Sequence, residues 1–236
     1  MITDANLDIS IIIFEEIRRF LGKSNGIKLL ALGYTDIILS EESLARIQSR
    51  IVVNGDAVFT ILADAQGKRF VKFDPGSFYS LLGFETTFID YFDPAPQALK
   101  IDLNQPIAPE FHQAFDAVID GGTAEHCFNI AQVMANMSLC VREGGVLCQG
   151  NPLFSMNHGF YNFSPIFYEK FYEKNGFTLL KAWTLQNTSS GLMLWGGFPA
   201  SSREALMLGE RGGDYFVNTF ARKDRHVEPV VWPSQY

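Results

Sequence analysis

Apolar and polar positions divide the chain into short apolar runs separated by longer amphipathic stretches. Ile9, Ile12, Ile13, Ile17, Phe20 and Leu21 recur at helical spacing with charge on the opposite face, and Gly22 stands where such a helix stops. "IKLLALG", Ile27 to Gly33, is a continuous apolar run ending in glycine, the pattern of a strand buried on both faces. Ser40 to Arg50 is polar and helix-compatible. "AVFTILADAQGKRFVKF" reads as two strands about a Gln66-Gly67 turn, or as an irregular insertion. The pattern therefore predicts one domain over 1–236, with 40–77 as an insertion or lid.

From Phe78 the alternation is regular. A helix ends at Gly83, "TTFID" is a strand ending at Asp90, "ALKIDLN" a strand ending at Asp102, and "FDAVID" a strand ending at Asp120. "NIAQVMANMSLCVREGG" predicts an amphipathic helix with Ile130, Val133, Met134, Met137 and Val141 on one side. A strand "GVLCQGN" and a loop "PLFSMNHGFYNF" follow. Ser164 and Pro165 suit the cap and first turn of another helix, which stops at Asn175-Gly176. "FTLLKAWTLQ" and "DYFVNTFARK" close the chain as strands, with a looser Gly-rich connection between them.

Strands alternating with helices predict an α/β fold. The expected form is a doubly wound, Rossmann-like sheet, mostly parallel, with helices on both faces and an antiparallel C-terminal hairpin. Ligands of such sheets sit beyond the carboxyl ends of the strands. That selects Gly33, Asp90, Asp102, Asp120 with its turn, and Asn151. Carboxylates only accept hydrogen bonds, which suits ribose hydroxyls and exocyclic amines. On this reading Asp90 holds a ribose and Asp102 faces an adenine amino group.

Composition narrows the function classes. Of 236 residues 47% are hydrophobic and 21 are phenylalanine, which excludes a disordered polymer. The net charge of -7 argues against a nucleic-acid phosphate binder. Cys127, Cys140 and Cys148 are odd in number and lack close pairing, as expected of reduced thiols in a cytoplasmic protein. No signal-peptide or membrane-spanning pattern is present, so no membrane partner is expected. The histidines, cysteines and acids show no metal-ligand spacing along the sequence, and the hydrolase and phosphate-loop motifs are missing.

Three segments, D-L-N-x-P-I at Asp102–Ile107, D-x-G-T-x-E-H at Asp120–His126 and N-H-G-F-Y-N-F-S-P at Asn157–Pro165, carry a resemblance. Over about Phe78 to Gly176 the chain resembles class I S-adenosylmethionine-dependent methyltransferases. The resemblance implies S-adenosylmethionine as cofactor, with Asp90 at its ribose, Asp102 and Leu103 at its adenine, and Asp120 and Gly121 beside its methionine portion. Gly33 would close the first loop against it. One departure stands out: Ala31 occupies the usual acidic place of the first strand, and "GYTDI" offers only Gly33, with Asp36 as a substitute acid. The departure keeps open a second reading, a non-catalytic binding or scaffold protein of this fold. A nicotinamide-dependent oxidoreductase is disfavoured because no G-x-G-x-x-G follows the first strand.

The resemblance also gives the remaining residues their expected roles. His126 and His158 are candidate catalytic proton acceptors. Glu125, Asn151 and Tyr161 are candidate substrate contacts, and Thr123 is expected to cap the following helix. The aromatic, polar loop from Phe154 to Phe163 favours a small-molecule or saccharide acceptor and O-methyl transfer.

Overall fold

The computed structural model describes residues 1–50, 59–64, 67–188, 191–198 and 213–234. In chain order the elements are β1 (Ile2–Thr3), α1 (Leu7–Leu21), β2 (Ile27–Leu32), β3 (Ile37–Ser40), α2 (Glu41–Arg50), β4 (Phe59–Ala63), β5 (Arg69–Phe73) and α3 (Pro75–Leu81). Then come β6 (Phe84–Ile89), β7 (Ala98–Leu99), β8 (Phe115–Asp120), α4 (Ile130–Cys140), β9 (Val141–Phe154), α5 (Pro165–Lys174), β10 (Phe177–Thr188), β11 (Gly191–Trp195) and β12 (Asp214–Lys223). No helix among the described residues is long and apolar enough to cross a membrane.

Eight strands form the main sheet in the order β11-β10-β12-β9-β8-β2-β6-β7. The five strands from β9 to β7 run parallel. The β12 strand returns antiparallel between β9 and β10, and β11 adds a further antiparallel edge. The expected α/β, doubly wound, Rossmann-like architecture with its C-terminal hairpin is what the chain adopts. Its β11 strand lies in the stretch expected to be a loose connection.

Strand β2 shows how the sheet separates its two cores. Alternate side chains of a strand point to opposite faces. Ile27, Leu29 and Ala31 enter one cluster with Phe14 and Ile17 of α1 and Phe78 of α3. Leu30 and Leu32 enter the other with Val133 and Met137 of α4 and Tyr168 and Phe171 of α5. Each fully buried Leu or Ile contributes roughly 1.5–3 kcal/mol through removal from water. Helix α1 ends as expected: Gly22 is left-handed at φ 63°, and the Gly22 and Lys23 N–H groups donate to Arg19 and Arg18.

Strands β3, β4 and β5 build a second sheet with β1, ordered β1-β3-β5-β4. The strand pair expected around Gln66-Gly67 is present as β4 and β5, and Gln66 itself lies outside the described residues. The N-terminal segment joins this sheet, since β1 pairs parallel with β3 and the Asp4 carboxylate accepts from the Ser40 N–H.

Three boundaries differ from expectation. The strand ending at Asp102 is only Ala98–Leu99. Its partner β6 stops at Ile89, and the Asp90 and Ile101 N–H groups both turn back to the Leu99 carbonyl. The helix through Val141 stops at Cys140, because Val141 pairs with Phe115 and Arg142 is drawn to Asp116. Strand β9 then absorbs Pro152 to Phe154, which the sequence places in a loop. Finally, Ser164 precedes α5 without a side-chain cap hydrogen bond.

Candidate active site

The carboxyl ends of β2, β8 and β9 open into a cavity of about 460 Å³. Its floor includes Ala31, Leu32, Ile119, Asp120, Gly121, Gly122, Gln149 and Gly150. Strands β10 and β12 supply Leu185, Asn187, Phe216 and Asn218, and the N-terminal segment from Met1 to Phe14 covers one side. Sequence reasoning missed that cover: α1 reads as an ordinary packing helix, and only tertiary pairing of β1 brings its start over the strand ends.

Strand β8 delivers Asp120 to the cavity. One carboxylate oxygen, Oδ1, accepts from the backbone N–H groups of Gly122, Thr123 and Ala124 at 3.3, 2.8 and 3.2 Å. Its other oxygen accepts from Asn151 Nδ2 at 2.7 Å, and the same amide donates to Glu125 Oε2 at 3.0 Å. Tyr168 OH donates to Asn151 Oδ1 at 2.8 Å, so one asparagine on β9 ties two buried acids to α5. Burial pushes the Asp120 carboxyl up, against the hydrogen bonds from Asn151 and the three N–H groups. Glu125 is raised to about 7, first by burial and then by the charge of Asp120.

Glu125 Oε1 is the unusual atom. It is buried and has no hydrogen-bond partner among the described residues. His158 Nε2 lies 3.3 Å from it and His126 Nε2 lies 4.0 Å from it. The loop carrying His158 is fixed by the Phe160 N–H donating to the Glu125 carbonyl at 2.8 Å. Gly159 allows this approach, because a Cβ there would sit 2.8 Å from Glu125 Cγ. The His158 ring packs edge-on against Phe216, with centroids 5.4 Å apart. The fold thus brings together Asp120, Glu125, His126, Asn151 and His158, which the sequence had selected singly.

Other selected residues lie elsewhere. Tyr161 donates to the Phe128 carbonyl and does not line the cavity. Thr123 Oγ1 donates to the Leu32 carbonyl instead of capping a helix, and Asn129 caps α4 through the Gln132 N–H. Gly33 has φ 87°, and a Cβ there would meet Thr123 Oγ1 at 2.9 Å. The first loop is therefore pinned between β2 and β8. Asp36, the substitute acid, pairs with Lys72 at 2.7 Å.

Gly33, Asp90, Asp102 and Leu103 are outside the cavity lining. Asp90 Oδ2 accepts from the Tyr34 N–H, and Oδ1 accepts from the Phe92 and Asp93 N–H groups. These bonds outweigh the burial that would raise Asp90 and hold it below its ordinary value. Tyr34 itself turns away from the strand ends, its ring edge-on to Phe88 at 5.0 Å and its OH donating to Asp74 at 3.0 Å. Asp102 accepts from the Asn104 N–H and amide through Oδ1. Asp102 Oδ2 makes no hydrogen bond among the described residues.

No family model and no curated protein matches the chain. Solved structures do. The 1,6-didemethyltoxoflavin-N1-methyltransferase of Burkholderia thailandensis, with bound 1,6-didemethyltoxoflavin and S-adenosylhomocysteine, aligns over 90% of this chain and 76% of its own at a TM-score of 0.50, with 11% identity. The fold is that of a methyltransferase. A TehB-like methyltransferase of Corynebacterium glutamicum aligns over 87% of this chain and 85% of its own, with 16% identity and a TM-score of 0.45. The 16S rRNA (adenine(1408)-N(1))-methyltransferase of Catenulisporales acidiphilia gives 91%, 94%, 10% and 0.45 for the same quantities. After β2, Gly33 leads through Tyr34 to Asp36 directly into β3 of the second sheet.

Proposed function

We propose that the chain is an S-adenosylmethionine-dependent methyltransferase acting on a small-molecule or saccharide-type acceptor, by transfer to oxygen. The observation that carries this reading is the cavity at the ends of β2, β8 and β9 in a methyltransferase fold, floored by Gly121-Gly122 and faced by two histidines. Groups suited to the cofactor stand at two places, Asp102 with Leu103 outside the cavity lining and Gly121-Gly122 within it. Asp102 keeps Oδ2 open for an exocyclic amine beside Leu103, and the Gly121 and Gly122 backbone gives close access to a ligand without a side chain in the way. Asp90 has already accepted three N–H groups, which leaves it at most one of the roughly four carboxylate lone pairs for a ribose hydroxyl.

Bound S-adenosylmethionine supplies an already activated methyl group, so the chain's own work is positioning. Asn151, anchored on Asp120, holds Glu125 in place, and His126 and His158 face the acceptor side, where either imidazole takes the proton of an acceptor hydroxyl. The N-terminal segment and Phe216 exclude water from one side.

The pinned first loop supports a second reading, a binding or scaffold protein that keeps the fold without the cofactor. The Tyr34 N–H bond to Asp90 is its specific support. Calorimetric titration with S-adenosylmethionine separates the two. The enzyme reading expects binding that weakens roughly 10- to 100-fold in Asp102→Ala, as for a lost hydrogen bond to a charged group, with the melting temperature unchanged. Absence of heat at millimolar cofactor would favour the scaffold.

A further inference from the structure

The sequence shows no metal-ligand spacing, yet the fold converges three donors on one point of the cavity wall. Glu125 Oε1 and one ring nitrogen each of His126 and His158 lie within 4.8 Å of one another. Glu125 is wholly buried, and among the described residues its Oε1 has no hydrogen-bond partner although two imidazoles face it. A buried polar atom without a partner costs about 1–3 kcal/mol, and more when the group is charged. The 3.3 Å between Glu125 Oε1 and His158 Nε2 agrees with the separation of about 3.4 Å between two ligands of a tetrahedral ion at its usual bond lengths. His126 Nε2 lies 4.0 Å away on a half-exposed side chain, so a shared ion requires the ring to turn inward.

We infer that Glu125, His126 and His158 form a binding site for one divalent transition-metal ion, of which zinc is the archetype. Two imidazoles and one carboxylate select such ions over magnesium or calcium, which prefer oxygen ligands. Three protein ligands leave a coordination position open, and it faces the cavity. Asn151, donating to Glu125 Oε2, is the outer-shell partner that aims the free Oε1. Within the methyltransferase reading, on which this role rests, the open position holds the acceptor's oxygen. With the ion bound, the acceptor hydroxyl acidified at the open position releases its proton to solvent, and His126 and His158 take that proton only in the metal-free chain.

The test uses tag-free full-length protein, stripped of metal with a chelator and titrated with Co²⁺ while visible absorption is recorded. The expected result is one Co²⁺ per chain with d–d bands that Zn²⁺ displaces. Affinity should fall at least about tenfold in His158→Gln and in His126→Gln, with melting temperatures near that of the parent. His226→Gln is the control, because its imidazole lies against Glu228 away from the cavity. Missing d–d bands at stoichiometric Co²⁺, or equal affinity in the His126→Gln/His158→Gln double variant, would overturn the site. Calorimetry with S-adenosylmethionine on the metal-free chain keeps the two ideas apart. Cofactor binding without Co²⁺ binding removes only the metal site, and the converse removes only the methyl-transfer reading.

Discussion

The two ends of β8 carry an aspartate each, four residues apart and both buried, yet the chain treats them oppositely. At the amino end Asp116 accepts from the Lys28 N–H at 2.9 Å and meets Arg142 at 2.7 Å and Lys23 at 3.1 Å. Burial would raise its carboxyl, but the Lys28 N–H, Arg142 and Lys23 together hold it below the ordinary value. At the carboxyl end Asp120 has amides for partners and no cation among the described residues, and burial wins. Its neighbour Glu125 keeps one oxygen without a hydrogen bond among the described residues. The amino end is a closed structural clamp joining β2, β8 and β9. The other end is left electrostatically incomplete, a condition that raises carboxyl pKa values and characterises binding and catalytic clefts.

That contrast breaks most directly at Asn151. Asn151→Ala strips a donor from both buried acids at once and leaves Tyr168 OH without its acceptor. The expected cost is about 3–4 kcal/mol, since several buried polar groups lose partners together. Urea unfolding at neutral pH measures it. A loss below about 1 kcal/mol would mean that the open end is solvated, and that its difference from the Asp116 clamp is only apparent.

Tyr168→Phe is the milder probe of the same end. It removes one hydroxyl in the apolar cluster beneath the site and frees Asn151 Oδ1 while leaving the amide's two donations intact. The expected loss is about 1–1.5 kcal/mol, and in a double-mutant cycle with Asn151→Ala the effects should be clearly non-additive. Additive losses would show that the hydroxyl does not act through the asparagine.

The sequence carried the closed parts of this picture better than the open ones. Apolar runs such as Ile27–Leu32 and Phe115–Asp120 are buried on both faces, so local composition dictates them, and both strands form where expected. Edge and junction elements depend on partners far away in sequence. The β7 strand ends where β6 runs out, and α4 ends where β9 must pair with β8. The site splits the same way. Asp120, Glu125, His126, Asn151 and His158 are legible because each follows or flanks an apolar run. The convergence of His126 and His158 on Glu125 Oε1 is not, since it needs Gly159 to bring one loop against another turn. The N-terminal cover likewise arises from β1 pairing with β3, for which two residues of strand give no local signal.

The smallest expected effect sharpens the comparison from the clamp side. Lys23→Gln removes one of two cations from Asp116 but leaves Arg142 and the Lys28 N–H in place. Lys23 is half-exposed, so the loss at neutral pH should stay below about 1 kcal/mol. The pH dependence is more telling than the magnitude. A carboxyl held below its ordinary 3.8 contributes stability above that value and loses it as pH falls through the lower folded value. Removing Lys23 moves the folded value back toward 3.8, so the acid-induced loss of stability tied to Asp116 should be smaller in the variant and complete at a higher pH. If the variant's profile instead overlays the parent's, Arg142 and the Lys28 N–H alone set the charge of Asp116. The lysine would then be a bystander, and the clamp would differ from the Asp120 end by a single guanidinium.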